Sequence, residues 1–159
     1  ALVTEHENLL VLRTFSKGYS LAGLRLGYLL GDPSLIRPVL EKTRDSYNVD
    51  AISQAIGLAA IEDQTYAQKT WACVRRDRKI LAAGLTALGF SVAASQTNFV
   101  LAQMPKNVSA FQLYQALKDK GILVRYFNTP RLQDALRITV GTPEQNHLLL
   151  DQLDQLIGD

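Results

Sequence analysis

A hydroxyl, an amine and a guanidinium in one short stretch of the chain could together hold a phosphorylated aldehyde. Ser16 and Lys17 follow a short apolar run, and Arg25 comes eight residues after the lysine. The neutral amine of a lysine can bind a carbonyl carbon covalently. A guanidinium grips a phosphate through two parallel charge-assisted hydrogen bonds. A site for an aldehyde cofactor that carries a phosphate would need these residue types, but a surface lysine and a strand arginine paired with a carboxylate stay the alternatives at this point.

The elements that must position these residues read as strands and helices of an α/β protein. Short apolar runs at 9–12 and 26–30 predict two strands that are buried on both faces of a sheet. The polar, glycine-containing stretch 16–23 between them predicts a loop. Good helix formers at 52–62 predict a helix beyond the second strand. The amine is thus expected in a loop that follows a buried strand.

A long amphipathic helix is predicted from about residue 65 to residue 88, and Gly89 should end it. Its apolar side chains recur at spacings of three, four and seven: Trp71, Val74, Leu81, Leu85 and Leu88. The charged side chains expected to point largely outward are Arg75, Arg76, Asp77 and Lys79.

The rest of the chain predicts a compact arrangement of short strands and two helices. The predicted strands are 90–93, 98–102, 122–127 and 136–140, and the first helix is 109–120. Thr142 and Gln145 form a capping box with Pro143 at the first helical position, which predicts the start of the last helix.

The composition is that of an ordinary soluble protein and excludes several classes. Of 159 residues, 47% are hydrophobic and 20% are charged, and a net charge of +2 from scattered basic residues gives no indication of nucleic-acid binding. The lone Cys73 excludes an intrachain disulfide and suits a reducing cytoplasm. No apolar run is long enough for a membrane span. His6 and His147 lie too far apart in sequence to indicate a metal site. The first residue is Ala1 rather than Met, so we expect a start inside a larger protein, or a processed or proteolysed chain.

The stretch RTFSKGYSLAGLRLG at 13–27 resembles the cofactor-binding segment of the fold-type I aminotransferases, which use pyridoxal 5′-phosphate (PLP). The resemblance implies that Lys17 is the catalytic residue and binds PLP covalently. It also implies that Ser16 and Arg25 bind the phosphate of PLP, with a weaker contribution from Thr14.

Two later segments resemble the substrate-binding part of the same family. The strand NFVL at 98–101 implies that Asn98 lies near the substrate pocket, and LRITVGT at 136–142 implies that Arg137 accepts the carboxylate of an amino acid. For Arg125, a structural role and a substrate-binding role both stay open.

The resemblance covers nearly the whole chain, and it is greatest to the histidinol-phosphate aminotransferases. It implies the end of an α/β large domain, consisting of a partial sheet and helices, and then an α+β small C-terminal domain. The corresponding division is a partial PLP-binding domain at 1–50, interdomain helices at 51–88 and the small domain at 89–159. These enzymes transfer an amino group between histidinol phosphate and 2-oxoglutarate in histidine biosynthesis, and the full enzyme is expected to be a cytoplasmic homodimer.

Other interpretations stay open at this point. An aromatic amino acid aminotransferase or a threonine-phosphate decarboxylase would keep the PLP chemistry and change the substrate. A non-catalytic structural or interaction fragment would be a different class of protein. In the resembled family, several groups that contact PLP precede the lysine and cannot lie within residues 1–14. We therefore expect this polypeptide by itself to bind PLP weakly and to be nearly inactive.

Overall fold

The computed structural model describes residues 2–158, which form an α/β fold of helices and two small sheets. The helices are α1 (Leu2–Glu5), α2 (Pro33–Lys42), α3 (Ala51–Glu62), α4 (Gln64–Ala87), α5 (Ala110–Asp119) and α6 (Pro143–Gly158). The strands are β1 (Leu10–Thr14), β2 (Gly27–Gly31), β3 (Ser91–Val92), β4 (Phe99–Gln103), β5 (Arg125–Tyr126) and β6 (Ala135–Thr139). The chain divides into two compact units, Ala1–Thr70 and Trp71–Asp159. Among the described residues, no helix is both long and apolar enough to cross a membrane.

In the first unit, β1 and β2 form an antiparallel two-stranded sheet. Leu10 pairs with Gly31 at one end, and Thr14 pairs with Gly27 at the other. The predicted strands are therefore confirmed, but the prediction that both faces are buried is wrong for this chain. Leu12, for example, is 78% exposed. The physical reason is that β1 and β2 form a two-stranded antiparallel sheet, whereas burial of both faces is typical of parallel sheets that helices cover on both sides.

In the first unit, α2 and α3 start at carboxylate caps. The Asp32 side chain accepts a hydrogen bond from the Ser34 amide at the start of α2, and Asp50 accepts one from the Ser53 amide at the start of α3, both at 2.8 Å. The hydroxyls of Ser34 and Ser53 also donate to these carboxylates, and these hydrogen bonds lower the pKa of both aspartates. Such caps satisfy amides that have no partner inside the helix.

The long helix α4 is confirmed, with Leu81 and Leu85 fully buried on its apolar side. The expectation that Asp77 points outward is wrong, because its residue is only 6% exposed. The neighbouring Arg76 side chain covers the carboxylate and donates to its two oxygens at 2.7 and 3.1 Å. This contact lets a charged residue at the edge of the apolar side leave solvent, and it raises the pKa of Arg76.

The second unit contains a four-stranded antiparallel sheet in the order β3-β4-β6-β5. One face of this sheet packs against helices around a hydrophobic core. The fully buried members of that core with the largest side chains are Leu81, Leu85, Val100, Leu117, Leu136, Ile138 and Leu153. The strand predicted at 122–127 is limited to Arg125–Tyr126, because only these two residues pair with β6. Five pairs join β4 to β6, so these two strands form the centre of the sheet.

The capping box of α6 forms as predicted. The Thr142 hydroxyl accepts from the Gln145 amide at 3.3 Å, and the Gln145 side chain accepts from the Thr142 amide at 3.0 Å. Asn146, in the first turn of the helix, accepts from the amide of Gly141 and donates to its carbonyl. These contacts fix the turn that follows β6. The predicted division into residues 1–50, 51–88 and 89–159 stays a prediction.

Candidate cofactor and substrate sites

Lys17 lies in a loop whose two ends are joined by hydrogen bonds. The Phe15 amide donates to the Leu26 carbonyl at 3.1 Å, which extends the β1–β2 ladder by one bond beyond Thr14. Phe15 is buried, and its ring contacts those of Tyr19 and Tyr28 at 5.1 and 5.8 Å between centroids. Phe15 is followed directly by Ser16 and then by the exposed Lys17, so the buried ring fixes the start of the segment that carries both.

Two hydroxyls lie together immediately before the lysine. The Thr14 hydroxyl donates to Ser16 Oγ at 2.9 Å, and the Ser16 amide donates to Thr14 Oγ1 at 3.1 Å. Ser16 is half-buried and Thr14 is exposed. Hydroxyls can reorient their protons, so this pair can donate to an anion placed beside it.

Arg25 lies at the end of the same loop. It directly precedes Leu26, whose carbonyl accepts the hydrogen bond from the Phe15 amide. Its guanidinium is exposed and donates to the Ala22 carbonyl at 2.9 Å. Arg25 and Ser20 adopt left-handed backbone conformations, with φ of 52° and 58°. Non-glycine residues in this region cost free energy, and they concentrate at functional sites. The structure thus brings Thr14, Ser16 and Arg25 to one end of a closed loop that exposes Lys17.

In the second unit, the sheet face opposite the core carries a cluster of arginines and aromatic rings. Leu136 and Ile138 point to the core, so Arg137 between them lies on the other face. Its guanidinium carbon is 5.2 Å from the ring centroid of Phe99 and 5.5 Å from that of Phe127. Cation–π contacts of this length hold a guanidinium over a ring.

Arg125 lies directly opposite Arg137 in the β5–β6 pair. Its guanidinium carbon is 5.1 Å from the same Phe127 ring. Residues directly opposite in an antiparallel pair share a face, and like charges there repel each other. An anion bound between the two guanidiniums would relieve this repulsion. The arrangement therefore fits a carboxylate or phosphate group.

Asn98 comes directly before β4 and is half-buried. Its carbonyl accepts a hydrogen bond from the Val140 amide at 2.9 Å, which joins the start of β4 to the end of β6. Asn98 thus lies at the entry to β4, and Arg137 lies on β6, the neighbour of β4 in the sheet. Thr14, Ser16, Lys17 and Arg25 belong to the first unit, and Asn98 and Arg137 belong to the second.

Sequence reasoning missed the rings of Phe99 and Phe127 as supports for Arg137. The signal for Phe99 was available, because Arg137 pairs with Leu101 and Phe99 lies two residues before Leu101 on β4, which places it on the same sheet face. The sequence signal for Phe127 was weaker, since this residue follows β5 and does not lie in it. Among the described residues, no group of three or more metal-ligating side chains comes together.

The whole stretch from residue 1 to residue 153 matches the model of the family "Aminotransferase class I and II", and the chain belongs to this family. It is similar to histidinol-phosphate aminotransferase 1 of Nostoc sp. (53% identity over 98% of the chain) and to histidinol-phosphate aminotransferase of Synechocystis sp. (47% over 97%). The chain spans 44% of the length of each of these curated relatives.

Among solved structures, the chain is similar to histidinol-phosphate aminotransferase from Sinorhizobium meliloti in complex with pyridoxal-5′-phosphate. The TM-score is 0.80 at 28% sequence identity, and the match covers 96% of this chain and 42% of the other. The α/β fold and the family are thereby shown, and the predicted resemblance is confirmed.

Proposed function

We propose that this chain is the part of a PLP-dependent histidinol-phosphate aminotransferase that supplies the cofactor-binding lysine and the substrate-binding arginine. The observation that carries the proposal is the closed loop that exposes Lys17 directly after the paired hydroxyls of Thr14 and Ser16 and that has Arg25 near its other end. In this proposal residues 1–50 contribute the end of the PLP-binding large domain, residues 51–88 form interdomain helices, and residues 89–159 form the small C-terminal domain.

The side chains of the Lys17 loop fit the cofactor chemically. Lys17 is exposed and offers an amine to the aldehyde of PLP, and the Thr14 and Ser16 hydroxyls lie 2.9 Å apart, ready to donate to its phosphate. Arg25 offers a permanent positive charge to the same phosphate after giving up its bond to the Ala22 carbonyl. When bound, PLP supplies the electron sink that stabilises negative charge at the substrate Cα. The role of the Lys17 amine is to hold the cofactor and then to carry the Cα proton.

Arg137 and Arg125 form the proposed anion-binding end of the substrate site. A bidentate guanidinium fixes both the position and the orientation of a carboxylate, and it holds a phosphate equally well. Glutamate has the α-carboxylate that such a clamp accepts, whereas histidinol phosphate has a phosphate and no carboxylate. We therefore propose that Arg137 binds the carboxylate of glutamate or 2-oxoglutarate in one half-reaction and the phosphate of histidinol phosphate in the other.

The proposal extends to the assembly and its location. As in the resembled family, the full enzyme is proposed to be a homodimer that acts in the cytoplasm. The single cysteine of the chain suits a reducing compartment.

The test uses the full-length protein that contains this sequence. PLP is added, the covalent adduct is reduced with borohydride, and the modified peptide is identified by mass spectrometry. The label is expected on Lys17 and to be lost in Lys17→Ala, whereas Lys42→Ala, which removes an exposed lysine at the end of α2, keeps it. A label on another lysine would contradict the cofactor assignment.

Substrate choice is tested separately, by single half-reactions of the PLP-loaded protein. Histidinol phosphate is expected to convert the cofactor faster than phenylalanine does, and threonine phosphate should release no carbon dioxide. Faster conversion with phenylalanine would favour an aromatic aminotransferase, and carbon dioxide release would favour a decarboxylase. No reaction with any of the three would support a non-catalytic role.

A further inference from the structure

Arg78 is a charged residue in the middle of the apolar side of α4. It lies four residues after Val74 and three before Leu81, so it continues the spacing of threes and fours on that side. The residue is only 8% exposed. Burying a guanidinium is costly unless its donors are satisfied, because the group stays charged at every physiological pH. Its hydrogen bonds therefore indicate what this buried charge does.

The Arg78 guanidinium reaches the turn that leads into β4. Nη1 donates to the Thr97 carbonyl at 2.5 Å, and Nη2 donates to Gln96 Oε1 at 3.4 Å. The shorter bond is to the main chain, so it fixes the path of the backbone directly before Asn98. A buried charge-assisted bond of this kind is stronger than a neutral one.

The same turn is tied to the first residue of β4 by hydroxyl groups. Ser95 Oγ donates to the Phe99 carbonyl at 2.6 Å, and Thr97 Oγ1 donates to it at 3.1 Å. The Phe99 amide in turn donates to Thr97 Oγ1 at 3.3 Å. A displacement of the Thr97 backbone therefore moves Phe99 as well.

Asn98 and Phe99 directly follow Thr97 in this turn, and both belong to the proposed substrate site. The Asn98 carbonyl joins β4 to the end of β6, and the Phe99 ring lies 5.2 Å from the Arg137 guanidinium carbon. A chain of contacts thus links Arg78 to the Thr97 carbonyl, Thr97 to Phe99, and the Phe99 ring to Arg137. All of these residues belong to the second unit.

We propose that Arg78 is a positioning residue that holds the 95–99 turn and thereby sets the place of Asn98 and Phe99 in the substrate site. This inference rests on the proposed aminotransferase function. Arg78 does not touch the substrate in this proposal. It acts through the main chain, so its loss should weaken substrate binding while leaving the attachment of PLP to Lys17 intact.

The experiment compares Arg78→Lys with Arg76→Lys in the full-length, PLP-loaded protein. Lysine keeps the charge at position 78 but cannot reach both acceptors with a planar fork. We expect KM for 2-oxoglutarate to rise roughly 10- to 100-fold in Arg78→Lys, as for a misplaced binding group. Arg76 lies two residues away on the same helix, and its side chain is 61% exposed, so Arg76→Lys should leave KM within about twofold of the parent value.

Two further readouts separate positioning from a merely structural role. Calorimetric titration with 2-oxoglutarate should show a weaker Kd in Arg78→Lys, in proportion to the rise in KM, while borohydride labelling of Lys17 is unchanged. A lower Tm with unchanged KM and Kd would overturn the inference. If the parent protein shows no aminotransferase activity, the proposed function fails, and the titration still decides whether Arg78 affects the binding of a dicarboxylate.

A second variant covers the case in which Arg78→Lys does not fold. Thr97→Val keeps the shape of the side chain and removes the hydroxyl that bridges to Phe99, while α4 is left untouched. It should also raise KM and Kd for 2-oxoglutarate. Unchanged values in this variant would overturn the inference, because the turn would then not set the geometry of the site.

Discussion

At the scale of single residues, the environment of Arg137 comes from the alternation of side chains along a strand. Its neighbours Leu136 and Ile138 enter the core, and Arg137 is therefore left on the open face with the rings of Phe99 and Phe127. Two rings restrict the guanidinium before any substrate arrives, which lowers the entropy lost on binding. The orientation of the side chain, and not its charge alone, then becomes important.

Arg137→Lys tests this point because it preserves the charge and removes the planar fork. Hydrogen bonds to charged groups contribute about 1.5–3 kcal/mol, so kcat/KM should fall roughly 10- to 150-fold with both 2-oxoglutarate and histidinol phosphate. Steady-state kinetics on the full-length enzyme measure the effect, with Arg75→Lys on the exposed side of α4 as the control. Unchanged kinetics with both substrates would rule out the proposed clamp.

The sequence predicts the residues of the Lys17 loop better than those around Arg137. Thr14, Ser16 and the lysine are close in sequence, so local spacing is enough to group them. Arg125 and Phe99, by contrast, meet Arg137 through strand pairing, and its register depends on contacts across the sheet. The α4 prediction placed Arg78 in neither its apolar nor its outward set, although the spacing from Val74 and Leu81 puts it on the apolar side of the helix.

At the scale of elements, the end of the β1–β2 hairpin is sensitive to a single methyl group. A Cβ added at Gly27 would lie 2.7 Å from the Arg13 carbonyl oxygen, whereas one added at Gly23 would have no atom within 4 Å. The backbone oxygen cannot move away without displacing β1. Gly27 thus allows the close approach of the two strands beside Thr14 and Ser16.

Gly27→Ala should therefore destabilise the protein by about 1–3 kcal/mol, the usual cost of overpacking. Gly23→Ala should change the free energy of unfolding by no more than about 0.5 kcal/mol, as for a surface substitution. Urea unfolding followed by circular dichroism compares the two variants. Equal midpoints would show that the hairpin tolerates the added methyl group.

The cap of α3 gives a pH-dependent prediction. Hydrogen bonds from the Ser53 hydroxyl and amide hold the pKa of Asp50 below its ordinary value of 3.8. Since the folded pKa is the lower one, the cap contributes its full stabilisation above the ordinary value and loses it as the pH falls through the folded pKa. Asp50→Asn keeps an oxygen acceptor and does not titrate.

We therefore expect the parent protein to exceed Asp50→Asn in stability near neutral pH and to lose this advantage in acid. Urea midpoints measured over a descending pH series give the difference between the two proteins. Asp154→Asn, which removes an exposed carboxylate on α6, is the control. The difference in urea midpoint between the parent protein and Asp154→Asn should change less with pH. A constant difference for Asp50→Asn across the series would contradict the proposed role of the carboxylate.

Helix ends and strand burial were predictable from sequence to different degrees. The capping box of Thr142 and Gln145 is a local pattern, and the structure confirms it bond by bond. Continuous apolar runs, however, indicate only that a strand favours burial. They do not determine whether other elements pack on the faces of that strand and bury it, which is why the exposure of Leu12 was missed.

At the scale of the whole molecule, the two units differ in how much apolar surface they bury. The large hydrophobic cluster, with seven large side chains fully buried, lies in the second unit, whereas the first unit buries Phe15 and Ala67. In the first unit, many large apolar side chains are exposed instead: Leu10, Leu12, Leu30, Leu40, Tyr47, Ile52 and Leu58. Buried apolar area is the main source of stability, so local opening should require less free energy in the first unit.

Hydrogen exchange of the 159-residue chain, followed by mass spectrometry, tests this difference. Amides of β4 and β6 should exchange slowest, and those of β1 and β2 should exchange fastest among the strands. Leu153→Ala removes a fully buried side chain and should cost about 2–5 kcal/mol, with faster exchange in β4 and β6. Leu148→Ala, at a 54% exposed position on the same helix, should leave exchange unchanged. Equal protection of the two sheets would contradict the inference, because it would mean that the exposed apolar side chains of the hairpin do not weaken it.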